Sequence, residues 1–164
     1  AIDYFSMLCA YLINYFHISI QIGAGNRTKN ISDYSTSLVQ AQSALKYARI
    51  FSHGQLIHFY EDYIFEEEFS RIPPEILKHF FEGYCAQLDA APLLAETVEA
   101  LVIHNMDINS TAKALFMHRN TIVFRMNQIK KALRLNPLHN DSDRFTMISL
   151  YIYYKLYHQK SIKN

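Results

Sequence analysis

A chain of 164 residues, half of them hydrophobic and 14% aromatic, has enough apolar material for one large or two small packed cores, which excludes wholesale disorder. The formal net charge of +1 conceals a segregation: residues 1–60 carry four Lys/Arg against two Asp/Glu, residues 61–100 two against ten, and residues 101–164 ten against three. A basic last third behind an acidic middle is the asymmetry expected when one region meets a polyanion.

Residues 2–16 are apolar on most faces and read as a buried helix. Asp3, Asn14, His17 and Gln21 interrupt the apolar run, which argues against a membrane span, and no basic segment precedes it as in a signal peptide. Ile18, Ile20 and Ile22 alternate with Ser19 and Gln21, the pattern of a strand over 17–22, and Gly23-Ala24-Gly25-Asn26 reads as the turn that ends it. A Gly-x-Gly without the third glycine of a dinucleotide fingerprint gives no phosphate loop. From Ser32 or Asp33 a second helix is expected to Phe51, with Leu38, Ala41, Leu45 and Ala48 inward. Ser52-His53-Gly54-Gln55 then leads into a short strand over 56–60.

The acidic run 61–68 reads as a linking helix ending near Ser70, and Pro73-Pro74 punctuates the chain. A helix over 75–88 offers Ile76, Phe80, Phe81 and Tyr84 for packing. Pro92 opens another to about His104, with Leu94, Val98, Leu101 and Val102 inward.

Residues 109–133 then read as two helices joined by a very short turn. Asn109 is a candidate cap of the first, and Ala112 and Leu115 face inward, with Ala112 small enough for a close helix approach. The turn Phe116-Met117-His118 contains no glycine, so it is expected to form without a positive φ. In the second helix Ile122, Met126, Ile129 and Leu133 recur at helical spacing as an apolar stripe. The opposite face holds Asn120, Phe124, Asn127 and Lys131, with Arg119 and Thr121 in the first turn. A polar, basic face at the start of a short helix suits the major groove of DNA. After a break at Asn136-Pro137 and a capping stretch Asn140-Asp141-Ser142, a last helix over 143–158 carries Phe145, Ile148, Ile152 and Leu156, with Tyr151, Tyr153, Tyr154 and Tyr157 on other faces. A helix apolar on that much of its circumference is either enclosed or meets a second subunit, so a homodimer is expected.

The run AKALFMHRNTIVFRMNQI, residues 112–129, resembles the C-terminal helix-turn-helix of the PucR/CdaR family of purine-catabolism and sugar-diacid regulators. The resemblance rests on Ala112, Leu115, His118-Arg119-Asn120-Thr121 and Phe124-Arg125, with Thr97 and Asp143-Arg144 as weaker matches outside the run. Phe124 departs from the tyrosine more often found there and so lacks its hydroxyl. More distantly, the second helix is similar to that of the factor for inversion stimulation, a bacterial DNA-bending protein. The stretch from the Gly-x-Gly to residue 62 resembles the tail of the GGDEF-like domain found ahead of this helix-turn-helix in the same regulators, although no GGDEF motif occurs. The resemblance implies a C-terminal fragment whose upstream region senses a small-molecule metabolite.

The expected fold is mainly α: a C-terminal helical bundle with a helix-turn-helix over 91–164, a helical linker over 63–90 and a truncated α+β GGDEF-like remnant over 1–62. The expected function is sequence-specific binding of double-stranded DNA by a cytoplasmic transcriptional regulator, with the recognition helix at about 119–133. The alternative is a dimerisation or ligand-sensing module that uses the helix-turn-helix to hold a protein partner.

Arg119 can grip guanine bidentately or clamp a phosphate, Asn120 suits adenine, and Thr121 suits a phosphate at the helix start. Phe124 either meets a thymine methyl or packs on a neighbouring element. Arg125 either straddles a phosphate or pairs with Glu96 or Glu99, and His118 either touches the backbone or caps the helix. Asn127 and Lys131 continue the outward face, and Lys130, Lys131 and Arg134 add sequence-independent attraction.

Two distant cysteines, Cys9 and Cys85, point to a reduced compartment. His53 and His58 miss the spacing of a helical metal pair, and no nucleophile motif occurs, so neither metal, cofactor nor enzymatic activity is expected.

Overall fold

The computed structural model describes residues 2–18, 20–52 and 54–158, so Ser19 of the expected first strand and His53 of the weighed histidine pair lie outside the described residues. The chain divides into two compact units, 1–72 and 73–164. The acidic segment falls in the first, and the helix opened by the second proline falls in the second.

In the first unit, α1 (Ile2–Phe16) is followed by β1 (Ile22–Ala24), α2 (Tyr34–Phe51), β2 (Ile57–Phe59) and, after a 3-10 turn at Tyr60–Tyr63, α3 (Ile64–Ser70). The strands pair in parallel, with Ile22 opposite Ile57, Gly23 opposite His58 and Ala24 opposite Phe59. A parallel pair needs a crossover between its strands, and α2 supplies it by packing on both.

The order helix, strand, helix, strand is as expected, but several details are not. The first strand is 22–24, not 17–22, so Gly23 and Ala24 belong to it instead of to a turn. The reason is steric. A Cβ on Gly23 would collide with the Ala41 carbonyl of α2, and one on Gly25 with the Ser37 carbonyl, so the two glycines let the helix backbone lie directly on the strand. Around them, the Asn26 amide donates to Gln40 Oε1 (2.9 Å) and the Ser37 hydroxyl to the Asn26 carbonyl (3.0 Å).

The burial of α1 also differs. Cys9 is enclosed, but Tyr4, Met7, Leu8 and Tyr15 are exposed, because the apolar residues run around the helix and only one side of it is covered. On α2 the enclosed residues are Ala44, Tyr47, Ala48 and Phe51; Leu38, expected inward, is exposed. His58 is buried, its Nδ1 3.0 Å from the Tyr63 hydroxyl.

The second unit is all helix: α4 (Pro74–Ala90), α5 (Pro92–Ile103), α6 (Ile108–Ala114), α7 (Arg119–Leu133) and α8 (Asp141–Tyr153), the last continued by a wider π turn at Tyr154–His158. Pro74 and Pro92 open their helices, where a missing N–H costs nothing. The central helix is α5, which touches α4, α6, α7 and α8, and its Val98 and Leu101 are buried as expected. On α4 the buried set is Leu77, Phe81, Cys85 and Leu88, a stripe displaced from the expected one, so that Ile76 and Phe80 face solvent. Phe81 stacks on Tyr153 with ring centroids 5.3 Å apart.

Met147, Leu150, Ile152 and Tyr153 of α8 are enclosed within this unit, while Phe145 is exposed. At its end, the Tyr154 hydroxyl and His158 meet the Asp89 carboxylate at 2.8 and 2.6 Å, tying the tail of α8 to the tail of α4. Cys9 and Cys85 are both free and buried, and burial pushes the Cys85 thiol up to about 12, which leaves it unreactive near neutral pH. Among the described residues no helix is long and apolar enough to cross a membrane, and no His/Cys/Asp/Glu group could hold a metal.

Two outcomes follow for the first unit. Gly25→Ala should lower its unfolding free energy by roughly 1–3 kcal/mol, since the clash is with rigid helix backbone; denaturant titration checks this. Burial disfavours the charged form of His58 and lowers its pKa below the ordinary value, so the unfolded chain takes up the proton first. Stability is therefore full above about pH 6.5 and falls as the pH drops through and below it. In thermal melts from pH 8 to pH 5, His58→Phe should flatten that fall.

Candidate nucleic-acid interface

α6 and α7 form the helix-turn-helix, and their termini are set by local chemistry. Asp107, not Asn109, caps α6: its Oδ1 accepts from the Ser110 amide at 2.7 Å, and Thr111 Oγ1 donates back to the Asp107 carbonyl at 2.7 Å. Hydrogen bonds from Ser110 hold the Asp107 carboxyl below its usual range. Asn109 is one residue inside the helix, too late to reach the free amides of its first turn.

The turn is closed by the Met117 amide to the Ala112 carbonyl (2.8 Å) and the Phe116 amide to the Lys113 carbonyl (3.1 Å). This pairing is the Schellman arrangement, which requires a left-handed residue between the two bonds. Phe116 supplies it with φ of 54°, against the expectation that the turn would avoid a positive φ. His118 then caps α7, its Nδ1 accepting from the Asn120 amide at 3.2 Å, so of its two expected roles the structure shows the cap.

Along α7, Ile122, Met126, Ile129 and Leu133 are buried, as their spacing predicts. Arg119, Asn120, Thr121, Phe124, Asn127 and Lys131 are all exposed on this one continuous helix, and the cap His118 is exposed at its start. Phe124 is 62% exposed and packs on no neighbouring element closely enough to cover it. Lys130 and Lys131 lie in the last turn, where cations also oppose the negative end of the helix dipole. From residue 108 to 140 the chain carries Lys113, Arg119, Arg125, Lys130, Lys131 and Arg134 and no Asp or Glu. The exposed charges of this stretch, Lys113, Arg119, Lys130, Lys131 and Arg134, are therefore all positive.

Arg125 is the exception among the expected contacts and does not join that surface. It is 9% exposed, and its Nη1 donates to Thr97 Oγ1 (3.0 Å), Glu96 Oε2 (3.3 Å) and, at longer range, the Leu93 carbonyl (3.4 Å). Thr97, fully buried, in turn donates to the Leu93 carbonyl at 2.7 Å. Arg125 sits three residues after Ile122 and four before Ile129, on the flank of the apolar stripe, so its side chain runs along α5 instead of outward. It is a positioning residue that fixes the rotation of α7.

Thr97 and Asp143-Arg144, legible in sequence as weak matches, have comparable structural roles. Asp143 accepts from the Asn136 amide (2.8 Å), and Arg144 Nε donates to the Pro137 carbonyl (3.1 Å), which pins the α7–α8 connection. The Asn140 side chain caps α8 through the Ser142 and Asp143 amides.

These five helices, with a short capped helix and a basic second helix laid on a central support, define a helix-turn-helix domain. Comparison with known proteins agrees: residues 94–151 match the PucR C-terminal helix-turn-helix domain. The chain is 40% identical over 60 residues to the carbohydrate diacid regulator of Escherichia coli (strain K12), covering 37% of this chain and 15% of that protein. It is 24% identical over 122 residues to the purine catabolism regulatory protein of Bacillus subtilis (strain 168), covering 72% of this chain and 23% of that protein. The chain thus spans less than a quarter of the length of either relative. No solved structure gives a significant match.

Two substitutions test the local geometry. Arg125→Ala should destabilise the second unit by about 1–2 kcal/mol, a figure discounted because Glu96 is half-exposed. Phe116→Gly should stabilise it by about 1 kcal/mol, since a nearly fully exposed ring has little packing to lose and a left-handed φ disfavours any residue with a Cβ. Paired thermal melts should show midpoints moving in opposite directions.

Proposed function

We propose that the second unit binds double-stranded DNA in a sequence-specific manner, with α7 in the major groove, as the output domain of a transcriptional regulator. The observation that carries this reading is the outward face of α7: Arg119, Asn120, Thr121, Phe124, Asn127 and Lys131 are exposed on a helix whose opposite side is buried, in a stretch that lacks any acidic residue. Base-reading chemistry is concentrated at the start of the helix, where helix-turn-helix proteins place it. Arg119 and Asn120 would read bases, Thr121 would hold a phosphate, Phe124 would meet a thymine methyl, and Asn127 and Lys131 would extend the contact.

The match over residues 94–151 to a domain of regulators supports the same reading. By analogy with relatives named for purine catabolism and carbohydrate diacids, the genes controlled would be metabolic, in response to a small-molecule effector sensed outside this stretch. The protein would act in the cytoplasm as a homodimer, since paired half-sites are the usual route to specificity in this class. The helix–strand–helix–strand order of the first unit supports its assignment as the tail of a GGDEF-like domain.

Fluorescence anisotropy with random and genomic duplex DNA over a salt series tests the proposal. Affinity should fall steeply with salt, and Arg119→Ala/Asn120→Ala should lose sequence preference. Salt-insensitive capture of a protein partner, with no DNA binding even at low salt, would favour the protein-docking alternative.

A further inference from the structure

Phe116 is the residue of the helix-turn-helix that folding explains least. Its ring is 97% exposed, among the most exposed apolar side chains described in the chain. Its backbone is left-handed, with φ of 54°, a conformation in which glycine is the favoured residue at a helix C-terminus. Both the ring and the Cβ therefore work against the stability of the turn, and neither packs on the unit to compensate. What the residue offers is position. It lies three residues before Arg119, between the exposed Lys113 of α6 and the exposed start of α7, within the 108–140 stretch that carries six Lys/Arg and no acid.

We propose that Phe116 is a DNA contact: its ring lies against the apolar face of the deoxyribose backbone at the edge of the groove that α7 enters. The inference rests on the reading of α7 as a recognition helix and extends it to a residue outside that helix. The charge around the ring selects the partner. The exposed charged residues on either side of it in sequence, Lys113 and Arg119, are both cationic, and cations favour a polyanion over an apolar protein surface. The docking geometry selects the backbone over the bases: the first helix of such a pair crosses the sugar-phosphate chain while the second enters the groove, and the turn joins the two. Sugar faces are apolar and common to all sequences. Phe116 therefore adds affinity without preference, and because it neutralises no phosphate it adds nothing to the salt dependence.

The test measures binding of the wild-type chain, Phe116→Gly, Phe116→Tyr and Arg119→Ala to one set of duplexes across a salt series, with a thermal melt of each variant. Phe116→Gly should fold with a midpoint at or above wild type, yet bind every duplex roughly five- to tenfold more weakly, with an unchanged salt slope. Phe116→Tyr should bind like wild type. Arg119→Ala, by contrast, should lose preference among the duplexes. If wild type binds DNA and Phe116→Gly binds equally well, the Phe116 contact is wrong and the recognition-helix reading stands. A loss confined to particular sequences would also overturn it, by placing the ring on bases. If wild type binds no duplex at low salt, both readings fall together.

Discussion

Arg125 reaches from the middle of α7 to the first turns of α5, where Thr97, Glu96 and the Leu93 carbonyl share a single guanidinium nitrogen. The apolar stripe from Ile122 to Leu133 presses the same face of α7 inward. An apolar stripe alone tolerates some rotation of a helix about its axis, because contacts between hydrocarbon surfaces carry no direction. A buried, hydrogen-bonded arginine does not, since turning it away would strand a charge and leave the Thr97 hydroxyl without its donor. With α7 locked in this way, Asn120, Phe124, Asn127 and Lys131 share the outward side, and Arg119 and Thr121 lead it. The outward chemistry thus depends on an inward charge.

The same locking explains why α6 can be so short. Seven residues rarely hold a helix alone, and α6 has two supports: the Asp107 cap with its Thr111 return bond, and the close contact of Ala112 with the neighbouring core. The turn after it is fixed by the two bonds around Phe116, at the cost of a left-handed backbone. His118 then restarts the chain as a helix. Each of these devices is local, and together they set the α6–α7 pair on α5.

How far this was legible in the sequence varied with the kind of information involved. The second unit's helices were readable because their apolar spacing is regular and because prolines or capping residues mark their starts. Arg125 was readable only as an open choice, because a residue on the flank of a stripe can point either way until its partners are known. The cap at Asp107 was missed because Asp107 and Asn109 are both capping types, and which begins the helix depends on the left-handed pair Asn105 and Met106 before it. The positive φ at Phe116 had no signal, since glycine is the usual marker. In the first unit, alternating isoleucines suggest a strand that starts five residues too early. The glycines that looked like a turn are strand residues made small by the passage of α2, a tertiary constraint that local pattern does not carry. The exposed flanks of α1, α2 and α4 were unreadable for a related reason: apolar residues run around more of each helix than the fold covers.

The most direct measurement is residue-resolved: backbone amide chemical shifts of the chain recorded while duplex DNA is titrated in. Shifts should concentrate at residues 116–121, 124, 127 and 131, with Lys113 at the margin, while Thr97, Val98 and Leu101 of α5 stay near their free positions. Shifts centred on α8 or on the first unit, with residues 118–131 unmoved, would contradict this and place any DNA contact on a surface other than the outward face of α7.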